Sequence, residues 1–115
     1  MSTYKQIFYQ IVFSTKNRIP SIEAEHETEL HKFIWGVIKR KKGVLYRING
    51  MPDHLHIFSD LHPTICLSDY IKDIKLASSS WIKDMGYFPD FAGWSRLLSG
   101  VMVLLHIRSM IKQKL

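Results

Sequence analysis

Apolar residues in this chain switch between two spacings in a fixed order, and that order restricts the fold more than any other feature. Ile7, Phe8, Tyr9, Ile11, Val12 and Phe13, within Lys5–Ser14, form an aromatic and β-branched run without a helical stripe, which predicts a central strand buried on both faces. Residues 15–18 are a polar break. From Pro20-Ser21 onward, Leu30, Phe33, Ile34, Val37 and Ile38 recur at three- and four-residue spacing, the pattern of an amphipathic helix. Lys39-Arg40-Lys41-Lys42-Gly43 marks its end, with cations on the negative end of the helix dipole and a glycine able to take a left-handed cap. Residues 44–49 and 54–58 each alternate like a strand around the turn residues Gly50-Met51-Pro52-Asp53, so a hairpin is expected. Ser68 is the expected N-cap of a second helix, whose stripe is Ile71, Ile74, Ser78, Trp81 and Ile82. Residues 86–94 read as a loop and 101–105 as a last strand. The order β-α-β-β-α-β is the split βαβ plan. The expected class is therefore α+β, ferredoxin-like, with an antiparallel sheet and both helices on one face.

Length and charge narrow what such a domain would bind. The 115 residues, 46% of them hydrophobic, make one core and one domain, 1–115. Sixteen Lys+Arg against ten Asp+Glu leave a formal charge of +6, which points to a polyanionic partner, nucleic acid ahead of a membrane surface. The single cysteine, Cys66, excludes an internal disulfide and a multi-cysteine zinc cage, and fits a reducing cytosol. No stretch approaches the roughly 20 apolar residues of a membrane span, and residues 1–16 lack the features of a signal peptide. A cytoplasmic protein with no membrane partner is expected.

His54-Leu55-His56 carries the clearest chemistry. Side chains alternate along a strand, so histidines two apart share a face and can offer two imidazole nitrogens to one divalent ion. The competing reading is two polar residues on the open face of an antiparallel strand. Asp53 and Asp60 could add carboxylate oxygens, although an aspartate in a turn more often bonds the backbone. His26 and His31 read as solvated helix positions, and His106 has no ligand-like partner in sequence. Among the cations, Lys16, Arg18, Lys39, Arg40, Lys41, Lys42, Lys72 and Lys75 form clusters suited to phosphate, although each alone reads as a solvated position. Phe91 and Trp94 could stack on bases, whereas Trp81 reads as core. Cys66 has no neighbouring base in sequence and reads as a spectator thiol.

Four segments, taken in order, resemble one family. They are Ile11-Val12-Phe13-Ser14-Thr15-Lys16-Asn17-Arg18; Met51-Pro52-Asp53-His54-Leu55-His56-Ile57; Leu67-Ser68-Asp69-Tyr70-Ile71-Lys72-Asp73-Ile74-Lys75 with Ser79-Ser80-Trp81-Ile82; and Phe91-Ala92-Gly93-Trp94. In these the chain resembles the IS200-like HUH single-tyrosine transposases of bacterial and archaeal insertion sequences, including the REP-associated tyrosine transposases. The resemblance implies that His54 and His56 bind Mg²⁺ or Mn²⁺, with a third ligand on a later helix. It implies that the metal polarises a DNA phosphodiester while a tyrosine attacks phosphorus, giving a 5′-phosphotyrosine and a free 3′-hydroxyl. It also implies a homodimer acting on single-stranded DNA folded into hairpins.

The chain departs from the family after Trp94. The family continues into a strand reading Gly-Tyr-Gly-Ala-Phe and a helix with the nucleophilic tyrosine; this sequence has no tyrosine after Tyr87. Tyr4, Tyr9, Tyr46 and Tyr70 do not match the nucleophile's place and read as structural, and Gln113 is a weak substitute for the missing ligand. As a hypothesis, a frameshift near Arg96 or Leu97 explains the tail, 96–115. Codons exist for residues 100–109 that give Gly-Tyr-Gly-Ala-Phe-Thr-Tyr-Ser when read one nucleotide earlier. The gene's nucleotide sequence tests this directly: an upstream frame without that strand ends the idea. The expected protein is a transposase copy that keeps fold, metal histidines and DNA surface but performs no strand transfer. Its rivals are a regulatory DNA-binding module, a ferredoxin-like interaction domain that binds neither metal nor DNA, and an enzyme using a tyrosine from an unexpected position.

Overall fold

Burial along the histidine strand alternates residue by residue: Leu55, Ile57 and Ser59 are buried, whereas His54, His56, Phe58 and Asp60 are half-exposed. One face of the sheet therefore carries the core and the other stays open. The computed structural model describes residues 5–95 and 100–107. Its elements are β1 (Lys5–Ser14), α1 (Glu27–Arg40), β2 (Leu45–Met51), β3 (His54–Asp60), α2 (Leu67–Met85) and β4 (Gly100–Ile107). The sheet order is β2-β3-β1-β4, with every pairing antiparallel. Each helix thus crosses over one intervening strand, the split βαβ arrangement expected. Ile11, Phe13, Leu55 and Ile57 from the sheet share one core with Leu30, Ile34 and Ile38 of α1 and Ile74 and Ile82 of α2, so both helices cover the same face. Among the described residues no helix is long and apolar enough to cross a membrane.

Three local expectations are corrected. The first helix begins at Glu27 rather than near Pro20, after a 3-10 turn at Ala24–His26. Ile22, 1% exposed, donates its N–H to the Pro52 carbonyl (2.9 Å), and this bond to the β2–β3 turn keeps the preceding residues out of the helix. At the other end the left-handed residue is Lys42 (φ 62°), not Gly43. Lys42 N–H reaches Lys39 O (2.9 Å) and Gly43 N–H reaches Ile38 O (3.0 Å), a Schellman closure. Gly43 is needed for closeness instead: a Cβ there would lie 2.9 Å from Tyr70 Oη, whose own hydrogen bond is with the buried Ser59 Oγ (3.1 Å). The N-cap of α2 is Cys66 rather than Ser68; Ser68 lies in the first turn, its Oγ 3.1 Å from Cys66 Sγ. Gly86 (φ 69°) closes α2.

The helix histidines are less solvated than their sequence positions suggest. His26 stacks on Tyr87 with ring centres 3.9 Å apart. His31 is half-buried, and its Nε2 has no hydrogen-bond partner among the described residues. Burial lowers the His31 pKa, partly opposed by Glu27. The unfolded ring titrates near pH 6.5 and the folded ring lower, so His31's contribution to stability is present above about pH 6.5 and is lost as pH falls towards the folded value. Urea unfolding at pH 7.5 and pH 5 is expected to show a smaller acid loss in His31→Gln than in the parent. Equal losses would remove His31 as the cause.

Candidate metal and nucleic-acid site

The hairpin register places the two histidines. Met51 pairs with His54 across a two-residue turn, Pro52-Asp53, and Asn49 pairs with His56. On the other side His54 faces Ser14 and His56 faces Val12 of β1. Both imidazoles thus stand on the open face, with ring centres 4.9 Å apart and planes at 68°. Leu55 between them points into the core, which holds the strand from rotating.

Asp53, a minor candidate from sequence, is tied into this pair. His54 Nδ1 donates to Asp53 Oδ1 at 2.7 Å, and Arg18 donates to Asp53 Oδ2 through Nε and Nη2, each at 3.1 Å. The His54 hydrogen bond, followed by Arg18, holds the Asp53 carboxyl below the usual carboxylate range. Arg18 reaches Asp53 because Asn17 (φ 57°) and Arg18 (φ 56°) both adopt the left-handed region, a conformation that costs free energy in residues with a Cβ. The segment is anchored by Thr15, whose N–H donates to Asp53 O (2.9 Å) and whose Oγ1 donates to Ile19 O (2.7 Å). A charged acceptor on Nδ1 selects the tautomer in which Nε2 keeps its lone pair. The two imidazoles are of a kind that a divalent transition-metal ion accepts as ligands. No group of three or more His, Cys, Asp or Glu gathers among the described residues.

The eight cations singled out from sequence do not form one surface. Lys16 and Arg18 lie at the histidine end, Lys16 exposed and Arg18 held by Asp53. Lys39, Arg40, Lys41 and Lys42 lie at the opposite end, where the following Val44 donates its N–H to Asp60 Oδ1 (2.7 Å). Within that group Lys39 sits 5.2 Å over the Trp35 ring and Lys41 pairs with Asp73 of α2. On α2, Lys72 is exposed, whereas Lys75 donates to Ser95 O (3.0 Å) and lies 5.5 Å over the Phe13 ring. Trp94, a candidate for base stacking, is instead core: it is 8% exposed, and its Nε1–H donates to Ser78 Oγ (2.9 Å). Trp81 is half-buried at the core's margin, stacked on Phe33 (5.1 Å).

The tyrosines lie elsewhere in the fold. Tyr70 is buried against Ser59 and Tyr87 covers His26; Tyr9 packs on the core. Tyr46 is on the open face, but its hydroxyl reaches Asp60 Oδ2 (3.4 Å). Asp60 is four residues along β3 from His56, about 13 Å at strand spacing. Tyr4, Arg96, Leu97 and Gln113 lie outside the described residues, as does the His106 side chain.

Residues 3–93 match the family described as "Transposase IS200 like". Two solved structures share the fold. A candidate transposase of Deinococcus radiodurans R1 superposes with a TM-score of 0.69 at 21% identity, over 98% of this chain and 90% of that one. A REP-associated tyrosine transposase bound to a REP hairpin gives 0.65 at 13% identity, over 98% of this chain and 65% of the other. Among curated protein sequences none matches.

Proposed function

Since the chain belongs to the IS200-like transposase family, we propose that it is a cytoplasmic DNA-binding transposase domain that holds a divalent cation on His54 and His56 and forms no phosphotyrosine by itself. The observation that carries this reading is the pair of imidazoles on one open face, with His54 oriented by Asp53. A cation bound there supplies Lewis-acid charge to a DNA phosphodiester. The chain's own part is to fix the His54 ring through Asp53, to fix Asp53 through Arg18, and to present cations to the strand. Single-stranded or hairpin DNA is the proposed partner, supported by the +6 charge and by the hairpin in the related structure. A homodimer and a frameshifted tail, 96–115, belong to the same proposal.

The proposed lack of strand transfer is supported by where the described tyrosines are. Tyr46 is the one that shares the open face, and its hydroxyl points to Asp60; Tyr9, Tyr70 and Tyr87 pack within the fold. Labelled hairpin DNA incubated with the purified chain and Mn²⁺ is expected to shift on a native gel and to give no covalent band on a denaturing gel. The shift should weaken steeply with salt as counterions compete. A covalent band would overturn the inactivity, and no native shift at low salt would overturn DNA binding.

A further inference from the structure

The open face holds a second feature beside the histidines. A cavity of about 710 Å³ spans three strands, with Gln10 from β1, Tyr46, Arg47 and Asn49 from β2, and His56 and Phe58 from β3 among its lining. A bulge between Leu45 and Arg47 brings Tyr46 and Arg47 together opposite Phe58. Phe58 stacks on Phe8 (5.5 Å), and Tyr46 meets Phe8 edge-on (4.9 Å), so neighbouring rings on the same face brace the aromatic wall. Tyr46 nevertheless remains 45% exposed. Asn49 lies opposite His56, and Gln10 lies opposite Phe58.

We infer that this cavity receives one unpaired nucleobase of a DNA strand whose phosphate lies at the His54–His56 pair. The inference rests on the proposed function and adds where the strand is held. An exposed ring backed by other rings suits stacking on a base face, which tolerates any sequence. The two amides offer both donors and acceptors to a base edge, and Arg47 supplies a cation for the neighbouring phosphate. Among the lining residues Arg47 is charged and none is a carboxylate; the nearby Asp60 carboxylate is bound to the Tyr46 hydroxyl. The cavity's volume falls in the range of small-ligand sites, about 300–1,000 Å³. Because His56 is itself part of the wall, a seated base and the histidine pair would share one nucleotide's reach.

The test uses the full chain without metal and single-stranded oligonucleotides carrying 2-aminopurine at successive positions. Stacking quenches this base, so one position is expected to lose fluorescence on binding. Tyr46→Ala should abolish that quench and weaken affinity by roughly 5- to 100-fold, while Tyr46→Phe should keep both. Asn49→Ala, at an exposed strand position, should reduce discrimination among bases at the quenched position and serves if Tyr46→Ala does not fold. Wild-type binding with no quenched position, or with quench and base preference unchanged in Tyr46→Ala and Asn49→Ala, overturns the nucleobase site alone. Absence of any wild-type DNA binding overturns the proposed function together with it.

Discussion

Replacing either imidazole, by His54→Ala or His56→Ala, is expected to abolish measurable Mn²⁺ binding, and Asp53→Asn is expected to weaken it by about ten- to a hundredfold. On the proposed reading each histidine supplies one of the two imidazole nitrogens to the ion, so losing either one halves the side-chain donors. Asp53 acts through His54. Its carboxylate accepts the Nδ1 hydrogen bond at 2.7 Å, and this selects the tautomer and fixes the ring with Nε2 free to ligate. Asparagine keeps the shape and an acceptor oxygen but loses the charge. Arg18→Gln should have a smaller effect, because the Arg18 side chain is 62% exposed and solvent screens its charge. Calorimetric titration of Mn²⁺ into the metal-free chain checks the series, and histidine ring ¹⁵N shifts report the His54 tautomer without any metal. Unchanged affinity in Asp53→Asn would remove its positioning role, whereas no binding by the parent would remove the metal site itself.

The second large effect is on stability. Trp94→Ala is expected to cost about 3–5 kcal/mol, the range for truncating a large buried aromatic, against a total of about 5–15 kcal/mol for a domain. Trp94 packs on Phe13 (5.8 Å) and Phe91 (5.0 Å), and its indole N–H donates to the buried Ser78 Oγ. Its neighbours close the end of β1: Lys16 N–H donates to Gly93 O (2.8 Å) and Ser95 N–H to Ser14 O (2.7 Å). Those bonds hold the chain that carries Arg18 to Asp53. Trp94→Phe keeps most of the packing and should cost about 0.5–1.5 kcal/mol for the lost indole hydrogen bond, since Ser78 Oγ still donates to Ile74 O (2.6 Å). Urea unfolding followed by circular dichroism measures both variants. A loss under 1 kcal/mol in Trp94→Ala would mean that the segment is not part of the cooperative core.

The strands and helices were legible wherever period and burial agree. Ile34 and Ile38 of α1, and Ile74, Ser78 and Ile82 of α2, are buried as the helical spacing predicts, and strand alternation put Leu55 and Ile57 in the core and both histidines on the open face. Boundaries were less legible because long-range partners decide them. Residues 19–23 could have continued the first helix, but the Ile22–Pro52 hydrogen bond holds them extended. Trp94 looks like a stacking residue in a loop and is core, since Ser78 sits 16 positions away in sequence yet within bonding distance. The cavity residues of β2 carried a faint signal, the alternation of Arg47, Asn49 and Met51, but which strands flank them is a matter of sheet order.

What the amino-acid order determined by itself is the element sequence, the shared face of His54 and His56, and the basic charge, all of which follow from local periodicity and composition. What only the tertiary structure decided is who meets whom. Arg18 and Asp53 are 35 positions apart, and they meet because antiparallel pairing of β1 with β3 brings Ser14 opposite His54 and two left-handed residues turn the chain back. Clustered cations at residues 39–42 and the pair at 16 and 18 look alike in sequence, yet they lie at opposite ends of the sheet. Local spacing sets which face a side chain takes; the pairing of distant strands sets its neighbours, and no short-range pattern encodes that.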